Sequence, residues 1–200
     1  GCNTGMNVAG IALSEKGASP RSDMPYDING EHFMMLFRDI LYDAGDLETA
    51  VRLVKESPRI KKYRFYIGDG QGKKAVKIKA YAPDLDIWPD NDPTDEVAPN
   101  ILKNVIYYTM NNQAAFTHLT ENYGKYDAES VIALSRLVAD DDGNLLNVVY
   151  DATALEMRVA YAEGPATAAT RPYVALRLRD YLNYNPEGAI KTADTPKQTN

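Results

Sequence analysis

Twice along this chain, two β-rich runs stand only a short turn apart. Residues 62–69 and 74–81 flank Gln71-Gly72, and residues 145–152 and 155–162 flank Thr153-Ala154. Runs rich in Tyr, Phe, Ile and Val with so short a join read as β-hairpins. A hairpin obliges its strands to run antiparallel, because a parallel return needs a crossover of about a dozen residues or more. A further strand is expected at 7–14, ahead of helices at 31–43 and 46–56. A strand at 103–110 precedes helices at 112–123 and 127–139. Strand, helix pair and hairpin thus occur twice in the same order, an α+β pattern of antiparallel sheet with paired helices. Loops fill 16–29 and the Pro- and Asp-rich stretch 82–99, and 171–178 reads as strand or turn.

Helical spacing supports the two best helices. Phe33, Phe37, Ile40, Leu41 and Ala44 fall on one face of the first, and Val131, Leu134, Leu137 and Val138 on one face of the last. Asp46 and Asp127 each precede a periodic apolar run, as N-caps do. The texture is uniform over residues 1–184, so a single domain is expected there. Residues 185–200 form a polar tail with too little apolar surface to pack, and flexibility is expected of it.

Composition limits the function classes. A net charge of −6 disfavours nucleic acid, whose phosphates call for clustered Lys and Arg. The short clusters Arg59-Ile60-Lys61-Lys62 and Lys73-Lys74 to Lys79 read as solvated faces. No apolar run reaches the length of a membrane span, and no signal peptide is visible. One cysteine makes no internal disulfide, which suits a reducing compartment and a disulfide-free periplasmic protein alike. His32 lies at a helix start and His118 inside an amphipathic helix, so neither reads as a metal ligand. Carboxylates crowd Asp84 to Glu96, but the run lacks a Gly-centred calcium loop and carries two prolines, so it reads as a solvated loop. Asp140-Asp141-Asp142-Gly143-Asn144 reads as a turn. Gly68-Asp69-Gly70-Gln71-Gly72 sits between strands, with no following helix to receive a phosphate. No metal and no cofactor is expected.

The segment Gly5-Met6-Asn7-Val8-Ala9-Gly10-Ile11-Ala12-Leu13 reads as a tight turn feeding a buried strand, with Gly10 free to take a positive φ or to let another backbone approach. Its Gly-Met-Asn-x-x-Gly-Ile-Ala pattern resembles a strand of the N-terminal-nucleophile hydrolases, in the family of acyl-coenzyme A:6-aminopenicillanic acid acyltransferases and choloylglycine hydrolases. Further segments resemble that family in the same order: Gly30 to Leu41, Asp46 to Val54, Tyr63 to Gly72, Asn144 to Asp151 and Leu155 to Ala162. They span about residues 1 to 180.

The resemblance implies a four-layer αββα sandwich, and one incomplete at its N-terminus where residues 1–10 align with the interior of such enzymes. It implies a hydrolase or acyltransferase acting on a linear amide through a cysteine acyl-enzyme, with a small-molecule amide or acyl substrate. Cys2 is the candidate nucleophile if it is truly N-terminal, since its own α-amine, titrating near about pH 8, would serve as base. The immediate Gly5-Met6-Asn7 context favours instead an ordinary strand-edge cysteine, with the nucleophile lying upstream. Asn7 is the candidate oxyanion donor or pocket wall, beside the plainer reading of an asparagine that holds a turn. The other class of function is a catalytically silent α+β module, or an enzyme fragment, with a binding or structural role.

Overall fold

Alternation along the strands creates two unlike faces on one sheet, and these faces organise the molecule. The computed structural model describes residues 3–16, 26–82, 84–95, 98, 102–108, 113–139 and 143–182. The chain is an α+β protein with two antiparallel sheets. Strands β1 (Thr4–Met6), β2 (Ile11–Glu15), β3 (Tyr63–Asp69), β4 (Lys74–Ala80) and β5 (Leu85–Pro89) form a five-stranded meander in chain order. Register puts Leu13, Ile67 and Val76 on one face, with Phe65 and Ile78 beside them. That face packs against helices α1 (Phe33–Asp43) and α2 (Leu47–Glu56), joining Leu36, Phe37, Ile40, Ala50 and Val54 in one core. Phe37 meets Phe65 with ring centroids 5.0 Å apart at a steep angle, the edge-on arrangement aromatic pairs prefer.

Both helices begin where the sequence indicates. Asp46 accepts from the Thr49 amide, and the exposed His32 accepts from the Met34 amide, so each supplies an acceptor to an otherwise unpaired first-turn N–H.

The second sheet holds β6 (Leu146–Asp151), β7 (Glu156–Tyr161) and β8 (Val174–Arg177) in that order. Helices α3 (Gln113–Glu121) and α4 (Ala128–Val138) precede it, a single 3-10 turn spans Ala168–Thr170, and α5 (Leu178–Leu182) follows β8. Asp127 and Ser130 cap α4 reciprocally. The face of β6–β7 that carries Val149 and Ala160 lies toward α4, where Arg158 of β7 comes 4.0 Å from Glu129.

Four expectations need correction. The strand expected at 7–14 starts at Ile11, because Asn7 to Gly10 form the turn from β1. The stretch 82–99 is not all loop: Leu85 and Ile87 align with Ala80 and Ile78 on the core side of β4, and Pro89 is tolerated because β5 is an edge strand. Residues 103–108 form no strand, since they cross the polar face of the first sheet instead of joining a ladder; residues 109 and 110 lie outside the described part. In α4 the buried residue is Ile132, while Leu137 and Val138 are exposed. Residues 183–200, which include the expected tail, also lie outside the described part.

Candidate functional site

Three turns meet at one end of the two sheets. The β1–β2 turn is held by Asn7, whose side-chain oxygen accepts from the Ala9 and Ile11 amides, both at 3.0 Å. Its amide nitrogen donates to the carbonyls of Leu41 (3.2 Å) and Ala44 (2.8 Å) at the end of α1. Asn7 therefore closes the turn with two hydrogen bonds and ties it to the helix with two more. The β3–β4 turn is built on Asp69, which accepts from Gln71 (3.0 Å), Gly72 (2.7 Å) and the first amide of α2, Leu47 (3.2 Å).

The third turn, between β6 and β7, is pressed against the other two. Gly10 has φ +82°, and a Cβ there would lie 2.8 Å from the Ala152 carbonyl oxygen; a Cβ on Gly70 would lie 2.2 Å from the Ala152 carbonyl carbon. Only glycine permits so close an approach of backbones. Gly70 donates to Gly10 O at 2.9 Å, and Thr153 Oγ1 donates to Gly70 O at 2.9 Å. Nearby, Thr4 Oγ1 donates to Leu13 O, so the 2.8 Å contact between Thr4 and Tyr150 is donated by the tyrosine hydroxyl.

Beside this junction lies an open cavity of about 540 Å³. Gly70, Lys73 and Lys74 line it from the first sheet, Tyr150 and Thr153 from the second, and Asn104 from the segment that crosses between them. Its size falls within the range of small-molecule pockets, roughly 300–1,000 Å³.

The crossing segment, residues 102–108, is fastened to the polar face of the first sheet by a buried lysine. Lys77 is 2% exposed; its ammonium pairs with Asp95 and donates to Tyr107 O at 3.1 Å. The rings of Trp88 and Tyr108 stand 5.7 Å from it, within cation–π range. Burial pulls the Lys77 ammonium below the usual lysine range, and Asp95 opposes that shift. Tyr66, its register partner on β3, is pushed far above the ordinary tyrosine range by burial, with Tyr108 and Asp95 adding to the effect. Arg64 lies 5.0 Å from the Tyr108 ring, and Tyr123 donates to Lys103 O.

Of the residues singled out from sequence, Asn7 and Gly10 sit at the junction, and Cys2 lies outside the described residues. His32 and His118 are far apart in role: the first caps α1, and the second contacts Tyr126 OH at 3.0 Å. Within the acidic run, Asp86 pairs with Lys79, Asp90 accepts from Asn91, Asp92 accepts from Thr94 and Asp95 pairs with Lys77, while Glu96 lies outside the described residues. Among the described residues no three His, Cys, Asp or Glu side chains gather as metal ligands. No helix of the described part is long and apolar enough to cross a membrane.

Sequence reading missed Lys77, because Lys74, Lys77 and Lys79 in one strand look like a solvated edge. The available signal was the acidic run after β4, the nearest source of a partner for a lysine turned inward. No model of a known protein family matches this chain, and no curated protein matches it.

Proposed function

We propose that this chain belongs to an amide hydrolase or acyltransferase that works through a cysteine acyl-enzyme, and that its described residues supply the framework and one wall of the pocket. The observation that carries this reading is the Gly5-Met6-Asn7 turn. It is the segment on which the family resemblance rests, and it stands at the junction of three turns, the other two of which border a cavity of ligand size. The layer order agrees with a four-layer αββα arrangement. Helices α1 and α2 cover the outer side of the first sheet and α4 covers one side of the second, and Thr4 meets Tyr150 across the two inner sides.

The chemistry asks for a thiolate that attacks the amide carbonyl, expels the amine and leaves a thioester for water or a second amine. It also asks for fixed donors toward the oxygen that becomes negative. Both amide hydrogens of Asn7 are engaged on α1 carbonyls, so its share in such a site is to fix the turn. That engagement also favours the second reading, a catalytically silent module with a binding role.

The test is to incubate the protein as its gene encodes it, and the 200-residue chain, with penicillin V, a conjugated bile salt and N-acyl amino acids. Acid quench and mass spectrometry then locate any acyl group. The expected result is amide turnover with a thioester on a cysteine, abolished by alkylating that cysteine. A thioester on Cys2, lost in Cys2→Ala, would put the nucleophile within this chain. Turnover that survives alkylation of every cysteine, or no turnover and no adduct from either protein, would overturn the enzyme reading in favour of the silent module.

A further inference from the structure

On the polar face of the first sheet, two cations stand without counter-charges. The Lys16 amide donates to Arg64 O at 2.7 Å, Arg64 is in register with Lys79, and Lys79 with Asp86. The neighbouring row carries Tyr66 and Lys77. Lys79 pairs with Asp86 and Lys77 with Asp95, which leaves Lys16 and Arg64 with no ion pair among the described residues. Glu15 points to the opposite face, in register with Phe65; burial raises its carboxyl above the usual range, against the pull of Lys61 and Lys16. Asp84 is exposed beside Tyr81, ahead of β5. Three cations converge on one ring of the crossing segment: Lys16 Nζ stands 6.0 Å, the Arg64 guanidinium 5.0 Å and Lys77 Nζ 5.7 Å from the centre of Tyr108. Arg64 Nε is closed to water and has no hydrogen-bond partner, and the Tyr66 hydroxyl has no acceptor among the described residues. A buried donor left unpaired is costly and calls for a specific explanation, such as a bound ion. Burial keeps the Tyr66 hydroxyl protonated far above the ordinary tyrosine range, so it remains a donor at neutral pH.

We propose that Lys16, Arg64 and Tyr66 bind an oxyanion, the carboxylate or phosphate group of a small ligand, beside the Tyr108 ring. A guanidinium holds parallel N–H donors that match two oxygens of such a group. Lys16 adds a second charge, and the Tyr66 hydroxyl a third donor. Lys16 is exposed whereas Arg64, Tyr66 and Tyr108 are half-buried, so the ligand enters from the Lys16 side and its anionic group ends in partly desolvated surroundings, where charges attract more strongly than in water. The chain as a whole is acidic, with a net charge of −6, so an unpaired Lys and Arg side by side reverse the local sign and draw anions. The cavity beside the β3–β4 turn has no such excess, because Asp69 and Asp90 line it against Lys73 and Lys74. The oxyanion site stands whether or not the protein turns over amides.

The test is an NMR titration of the full chain at low salt with inorganic phosphate, with benzoate and with benzyl alcohol, the neutral counterpart of benzoate; no probe contains an amide. At least one anion is expected to shift the Arg64 Nε–H signal and the backbone amides of residues 14–16, 64–66 and 107–108 saturably, and benzyl alcohol is not. The tighter of the two anions names the group, phosphate or carboxylate, that the site takes. Lys16→Met and Arg64→Gln should each weaken that anion about tenfold, as loss of a charged donor does, and Tyr66→Phe should weaken it several-fold. Lys55→Met, on the exposed side of α2, should change nothing. Lys16 is exposed and Tyr66→Phe removes only a hydroxyl, so these two variants carry the test if Arg64→Gln does not fold. Failure of both anions to saturate, shifts spread over the surface, equal binding of benzyl alcohol, unchanged affinity in Lys16→Met, or an equal loss in Lys55→Met would each overturn the proposal.

Discussion

The two faces of the five-stranded sheet are built by opposite means. Toward α1 and α2 the sheet presents Leu13, Phe65, Ile67, Val76 and Ile78, and stability there comes from apolar area removed from water. On the other face stand Thr4, Ser14, Tyr66, Lys77 and Trp88 in one cross-strand row, covered by residues 102–108 and touched by the second sheet. Cohesion there depends on a few directional contacts, each with a named partner. A face of the first kind loses stability with the apolar volume removed from it, whereas one of the second kind loses it when a single partner goes, because a buried charge or polar group is left alone.

The largest expected effect lies on the apolar face. Phe37→Ala removes a fully buried ring between α1 and β3 and should cost about 4 kcal/mol of unfolding free energy, read from the urea midpoint. A loss below about 1 kcal/mol would mean that α1 contributes little to the core.

Lys77→Met should come next, at about 3 kcal/mol, because it strands Asp95 beneath the crossing segment. The double variant Lys77→Met, Asp95→Leu should recover most of that loss. Equal instability in the single and double variants would show that shape, not the stranded carboxylate, sets the cost. The single variant should also raise amide exchange in residues 102–108, since the Tyr107 carbonyl loses its donor.

Gly70→Ala should cost about 2 kcal/mol, since its Cβ would collide with the Ala152 backbone and force the two sheets apart. Gly45→Ala is the control, as a Cβ there meets nothing within 4 Å. Similar melting temperatures for the two variants would mean that the sheets are not pressed together at this turn.

The smallest effect is electrostatic and belongs to the helix side. The backbone amide of Thr49 holds the Asp46 carboxyl below the usual aspartate range. A carboxylate with a depressed native pKa contributes stability above its unfolded pKa of about 3.9 and loses that contribution as pH falls through the native value. The denaturation midpoint should therefore decline below about pH 4, and Asp46→Asn should flatten that decline while leaving the midpoint near neutral pH little changed. An identical acid profile in the variant would remove Asp46 from the account.

How much was legible in the sequence follows the same division between the two faces. The hairpin strands at 63–69 and 74–80, the helix stripe through Phe37 and Ile40, and the caps Asp46 and Asp127 were all readable. Each is written in neighbours no more than a few residues apart, through period-2 or period-3.6 spacing and through side chains that reach their own backbone. The β1–β2 turn was legible for the same reason, as Asn7 closes on Ala9 and Ile11. The path of 102–108, the strand at 85–89 and the burial of Lys77 were not. A carbonyl at 107, a carboxylate at 95 and an amine at 77 declare no relation in the sequence, and only folding brings them together.

By itself, then, the sequence determined the antiparallel hairpins, the helices and the glycines at positions 10 and 70. Tertiary structure alone decided what those glycines approach and which lysine is buried. Local order is fixed by backbone geometry and short-range hydrogen bonds, which act within a few residues. The partner of a buried charge is chosen by whatever distant segment satisfies it when water is excluded.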